Sequence, residues 1–338
     1  MTATGGAGGT AGSTPEGRRN DDPVTQETPA YSDTANLALT ADEAGRLMRR
    51  ASYASVTIAS LLILIKLSAW LITGSVAMLG SLMDSALDVG ASIVNLLAIR
   101  AALVPADREH RFGHGKAEAL AGLAQAAFVA GSAVFLILQA VDRLYRPRPI
   151  SSGEIGIAVI VVSILLTLAL VMYQRSVIRR TGSLAVRGDS LHYRGDLVMN
   201  LAVILALVLS GHLGLTYADP ILAVAIAAYL LWGAWSIFGE ARDHLMDREL
   251  PDELRQRIRE IVLSHPKVIA MHDLRTRSAG VSSFIQLHIE MDPDMPLIEA
   301  HVASDEVEAM IRALFADAEV IIHQDPYGVE EERLTFPR

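Results

Sequence analysis

The chain has 338 residues, of which 51% are apolar and 20% charged, with a mean hydropathy of +0.34. That is too apolar for an ordinary soluble protein and too charged for a chain held wholly in lipid, so a membrane domain joined to a water-exposed one is implied. Cysteine is absent, which excludes disulfides, thiolate zinc sites and cysteine catalysis; any metal must be held by His, Asp, Glu or backbone oxygen. The formal net charge of −9 falls entirely within residues 249–338. An acidic end of this kind argues against nucleic acid and against docking on anionic lipid, and suits a domain that meets cations.

Residues 1–44 are rich in Gly, Thr, Ser, Pro and Asp with no apolar run, and read as a disordered N-terminal tail rather than a signal peptide. Six apolar segments follow, at 52–72, 75–100, 116–141, 152–175, 183–210 and 218–239, each near the roughly 20 residues that cross a bilayer. They define a six-helix transmembrane domain over 45–246. Six crossings place both termini on one side. Arg46, Arg49 and Arg50 precede the first segment, Arg100, Arg108, Arg111 and Lys116 mark the second–third loop, and Arg175, Arg179, Arg180 and Arg187 the fourth–fifth. This distribution predicts cytoplasmic termini in the inner (plasma) membrane, although Arg143, Arg146 and Arg148 break the pattern. Lys66, alone within the first segment, is expected to snorkel or to face a polar cavity.

From Pro251 the periodicity changes. A helix over 251–264, strands at 268–277 and 283–291 around Ser278-Ala279-Gly280, an amphipathic helix at 297–315 and a strand at 319–324 are predicted. This α-β-β-α-β order gives residues 247–338 a small α+β cytosolic domain with helices on one face of its sheet.

Two stretches carry the chemistry of the apolar region. Asp84-Ser-Ala-Leu-Asp88 and His192-Tyr-Arg-Gly-Asp196 each set two metal-ligating side chains one helical turn apart. A carboxylate in mid-membrane costs roughly 2.5–3.5 kcal/mol on the insertion scale, so three need a compensating partner. If the second and fifth helices cross, the pairs form a four-ligand cage of N and O donors suited to Zn²⁺. Protons compete with a metal for these same atoms, which predicts exchange of one for the other. In the second–third loop Asp107, His110 and His114 recur at three and four residues, a spacing compatible with one metal or with a solvated polar loop. His323 and Asp325 share a strand face, His288 lies on a polar strand face, and His272 and His301 are on neighbouring elements; spacing alone allows either a shared site or surface histidines.

At these residues the chain resembles the cation diffusion facilitator family, and closely its bacterial zinc/iron efflux branch, the ferrous-iron efflux-like members. The matching stretches are Gly74-Ser75-Val76, Leu82 to Ser92, Arg111-Phe-Gly-His-Gly-Lys-Ala-Glu118, Leu191 to Asp196, Ala270 to Arg277 and Ile322-His-Gln-Asp-Pro326. The resemblance implies a homodimer performing Zn²⁺/H⁺ antiport by alternating access, with a metallochaperone-like cytosolic domain for regulation and dimerisation. It implies that Asp84, Asp88, His192 and Asp196 form the transport site and that Asp107, His110 and His114 form a loop site. His272, His288, His301, His323 and Asp325 would form a cytosolic binuclear site bridged by Asp325, and Lys116 and Asp247 a structural interlock between domains. Zn²⁺ is the expected cargo and regulator. Imidazole at 192 also suits Cd²⁺ and Fe²⁺ as cargo, whereas an all-oxygen site would suit manganese.

Three other functions compete. An intramembrane zinc protease would need His-Glu-x-x-His, which the sequence lacks; no enzyme is expected. A passive divalent cation channel would show flux without saturation or proton coupling. A membrane-anchored metal sensor would keep its function in Asp84→Ala.

Overall fold

The computed structural model describes residues 39–74, 76–145, 154–213 and 218–329. Residues 1–38 of the expected tail, and Arg146 and Arg148 of the third–fourth loop, lie outside the described residues.

Six long helices make up the N-terminal part: α1 (Ala41–Thr73), α2 (Val76–Ala102), α3 (Lys116–Tyr145), α4 (Glu154–Thr181), α5 (Leu184–Leu213) and α6 (Ala218–Leu245). The first begins inside the stretch expected to be tail. Thr40 accepts from the Glu43 N–H while the Glu43 side chain reaches back to the Thr40 N–H, a capping box that starts the helix about three turns before the apolar run. At about 1.5 Å per residue its 33 residues span about 50 Å, so it extends well beyond a hydrocarbon core of about 30 Å. It ends at Gly74, whose φ of 60° lets its N–H cap the Trp70 carbonyl.

Five helices, α1, α2, α3, α4 and α6, are long and apolar enough to cross a membrane. α5 carries Arg187, Asp189, Arg194 and Asp196 in its first half. Those charges are possible because α5 is the inner helix, packed against α1, α2, α3, α4 and α6. Small residues permit the close approach: a side chain at Gly195 would strike Leu230, and one at Gly233 would strike Leu191.

The C-terminal part is an α/β unit: α7 (Asp252–Leu263), β1 (Ala270–Ala279), β2 (Ser282–Met291), α8 (Leu297–Leu314) and β3 (Ala318–Pro326). The sheet order is β1-β2-β3, antiparallel between the first pair and parallel between the second, with α8 as the crossover. Period-two alternation splits β2 cleanly. Ile285, Leu287, Ile289 and Met291 enter the core against Leu254, Ile258 and Val262 of α7 and Ala303, Val307 and Ile311 of α8. Gln286, His288 and Glu290 therefore point to the opposite face.

Candidate metal centre

In the helical domain, Asp88 on α2 and His192 and Asp196 on α5 converge, one ligand atom from each lying within 4.8 Å of the others. His192 Nε2 stands 3.0 Å from Asp88 Oδ1 and 3.6 Å from Asp196 Oδ2. A ring nitrogen facing two carboxylates donates its proton to one of them; a dication would take that proton's place, bound by three groups already aimed at it. The α2–α5 crossing is fixed from beneath. The Tyr193 hydroxyl donates to the Ser55 carbonyl at 3.3 Å and lies 2.7 Å from Ser92 Oγ, pinning α5 to α1 and α2. Asp84, the fourth expected ligand, is one turn away on α2 and exposed, outside this three-residue group.

Asp189 joins this neighbourhood without being among the sequence-predicted ligands. It sits one turn before His192, buried, and accepts from Ser55 Oγ at 2.5 Å and from Gln174 Nε2 at 2.8 Å. Its i,i+3 relation to His192 was the available signal.

The loop after α2 brings Asp107, His110 and His114 together as a second group. Asp107 Oδ1 accepts from the backbone N–H of His110 at 2.6 Å and of Glu109 at 2.8 Å. The His110 hydrogen bond, the larger effect, holds the Asp107 carboxyl below the usual carboxylate range. His114 Nδ1 lies 3.3 Å from the Val104 carbonyl oxygen. Its Nε2 lies 3.5 Å from Asp107 Oδ2.

In the sheet, register does the assembling. His272, His288 and His323 are direct partners on β1, β2 and β3, and Glu290 and Asp325 pair two residues further on the same face. Asp325 Oδ2 lies 2.8 Å from His288 Nδ1 and 3.3 Å from His272 Nε2, and its Oδ1 lies 3.1 Å from His323 Nε2. One buried carboxylate thus faces three imidazoles. Glu290, 3.4 Å from His272, belongs to the cluster and was visible in the alternation of β2. His301 is not brought in; it lies on the exposed side of α8, 3.6 Å from Asp305.

The predicted interlock residues meet. Lys116 Nζ lies 2.9 Å from Asp247 Oδ1, and Arg277 Nη1 lies 3.3 Å from the same oxygen. The Arg277 guanidinium stacks over both Phe112 and Phe284. A cavity of about 200 Å³ opens beside this contact, with His114, Phe112, Phe284 and Glu319 on its walls.

An inner helix carrying candidate metal ligands, enclosed by apolar helices and followed by a small α/β domain, defines a membrane protein built to handle cations. Residues 52–246 match the cation efflux transmembrane domain, and residues 250–327 the cation efflux protein cytoplasmic domain. The chain belongs to this family, the cation diffusion facilitators. It is 50% identical over 285 residues to the cation-efflux pump FieF of Escherichia coli O1:K1 / APEC, covering 84% of this chain and 95% of that protein. The same figures hold for FieF of Escherichia coli strain K12 / DH10B. A solved structure of CzrB, in its zinc form, is 34% identical over 25% of this chain and 99% of that one, with a TM-score of 0.24. The protein is a multi-pass membrane transporter for cation efflux, not an enzyme.

Proposed function

We propose that this protein is a Zn²⁺/H⁺ antiporter that exports Zn²⁺ from the cytoplasm, accepting Cd²⁺ and Fe²⁺, by alternating access. The observation that carries this reading is the convergence of Asp88, His192 and Asp196 between α2 and α5. Two carboxylates and an imidazole suit Zn²⁺, with Asp84 one turn away to complete a tetrahedron once α2 rotates. Because protons and metal contend for the same lone pairs, protonation expels the cargo and cargo expels protons. All six long helices cross the inner membrane, α5 shielded from lipid by its neighbours, and both termini are cytoplasmic. The chain acts as a homodimer joined through the cytosolic domain, whose metallochaperone-like sheet reads cytosolic Zn²⁺ through His272, His288, His323 and Asp325.

That sheet cluster also favours a second reading, a membrane-anchored metal sensor. One experiment separates them. Proteoliposomes holding the full chain are loaded with a zinc indicator and given an outward or inward proton gradient. Antiport predicts saturable Zn²⁺ uptake that reverses its response with the gradient and vanishes in Asp88→Ala. Uptake indifferent to the proton gradient ends the antiport reading, and no uptake at all leaves the sensor.

A further inference from the structure

Lys66 is a lysine within a membrane-spanning helix that transport by the three-residue cluster leaves unexplained. It does not snorkel to a helix end. Its Nζ donates to Ser85 Oγ at 2.7 Å and to the Ser81 carbonyl at 3.4 Å, both on α2. Ser85 is 1% exposed, so the ammonium is directed inward, onto the helix that carries Asp84 and Asp88. Ser85 directly follows Asp84 in α2, so the ammonium is held beside the turn that carries the two aspartates. It stands on the side of His192 nearer the α1–α2 connection, whereas Ser55, Ser92 and Asp189 stand on the side toward the cytosolic domain.

Resting on the antiport reading above, we propose that Lys66 is a tethered counter-cation of the transport site, which weakens the site's hold on a departing metal ion. Asp84, Asp88 and Asp196 together carry three negative charges, with His192 neutral. A bound dication leaves one of them uncompensated, and the Lys66 ammonium cancels it. With two protons in place of the metal, the same ammonium again brings the sum to zero. Loaded and proton-loaded sites are then both neutral, and neither strands charge in a low-dielectric interior. Without Lys66 both forms keep a net negative charge, and the site holds any cation more tightly. The serines are the tether: they fix the ammonium close enough to act on the carboxylates while leaving the carboxylate oxygens to the cargo.

The test compares the native full-length protein with Lys66→Met, which removes the charge at similar size, and Lys66→Arg, which keeps it. Zn²⁺ uptake into proteoliposomes is measured against Zn²⁺ concentration under a fixed proton gradient. The Met variant should show KM for Zn²⁺ lower by about tenfold and kcat lower by about tenfold, while the Arg variant stays within about threefold of native. A Met variant with native constants, with a raised KM, or with a fallen kcat at unchanged KM overturns the proposal. So does an Arg variant as impaired as the Met variant, because shape rather than charge would then be at issue. If the native chain moves no Zn²⁺ the antiport reading fails and this inference with it; native transport with an unaltered Met variant sinks the role of Lys66 alone.

Discussion

His192 presents one nitrogen to two carboxylates, 3.0 Å from Asp88 and 3.6 Å from Asp196, and on the proposed reading this sharing sets which ion is carried. Replacing the ring by a carboxylate in His192→Asp makes the donors all oxygen, which favours harder ions. In a competition assay His192→Asp should shift preference from Zn²⁺ toward Mn²⁺; an unchanged order refutes the role of the imidazole. The paired ligands were legible in the sequence because the i,i+4 spacing is local and the apolar surroundings make each carboxylate costly. Which pair members share one ion was not legible. It depends on how α2 is rotated about its axis, and here Asp88 faces α5 while Asp84 is exposed. His301 shows the same limit: its helix was readable, its outward orientation was a matter of packing.

The sheet cluster is a product of strand register. The three histidines stand in one row only while β1, β2 and β3 keep their pairing, and a bulge between His272 and Arg275, with Asp273 at φ 48°, interrupts β1 beside that row. Ile285, fully buried between the sheet and its helices, helps set this register. Ile285→Ala should destabilise the cytosolic domain by about 2–5 kcal/mol and weaken zinc binding there, read by denaturant unfolding with and without zinc. Loss of zinc binding with no loss of stability would contradict the link. Strand identity and alternation were plain in the sequence; the parallel pairing of β2 with β3, which brings His323 beside His288, was not, because pairing is a long-range choice. The early start of α1 was written locally at Thr40 and Glu43, yet polar composition argued for a tail and hid it.

The two domains are held by contacts that are individually weak. Lys116 and Asp247 are each about two-fifths exposed, and such an ion pair contributes about 0.2–1 kcal/mol. Partial burial opposes ionisation of Asp247, but hydrogen bonds from Lys116 and Arg277 outweigh it and hold its carboxyl below the ordinary 3.8. A depressed value means that its contribution is complete above 3.8 and is lost only as pH falls through the lowered value. Spin-label distances between the domains should therefore be constant from about pH 5 to 8 and lengthen only in stronger acid, with Asp247→Asn lengthened throughout. A change near neutrality would contradict this. Backbone shape adds the tighter constraint: a Cβ at Gly115 would lie 2.1 Å from the Ala279 carbonyl oxygen, so Gly115→Ala must push the hairpin away. It should disturb the inter-domain distance more than Lys116→Met does, and native-like distances in Gly115→Ala would refute that ranking.

Asp88, His192 and Asp196 are proposed to hold the transported ion, and the decisive measurement is zinc uptake by proteoliposomes of Asp88→Ala under a proton gradient. Uptake should fall at least about 100-fold while zinc still binds the loop and sheet clusters. Uptake at the native rate in that variant would contradict it.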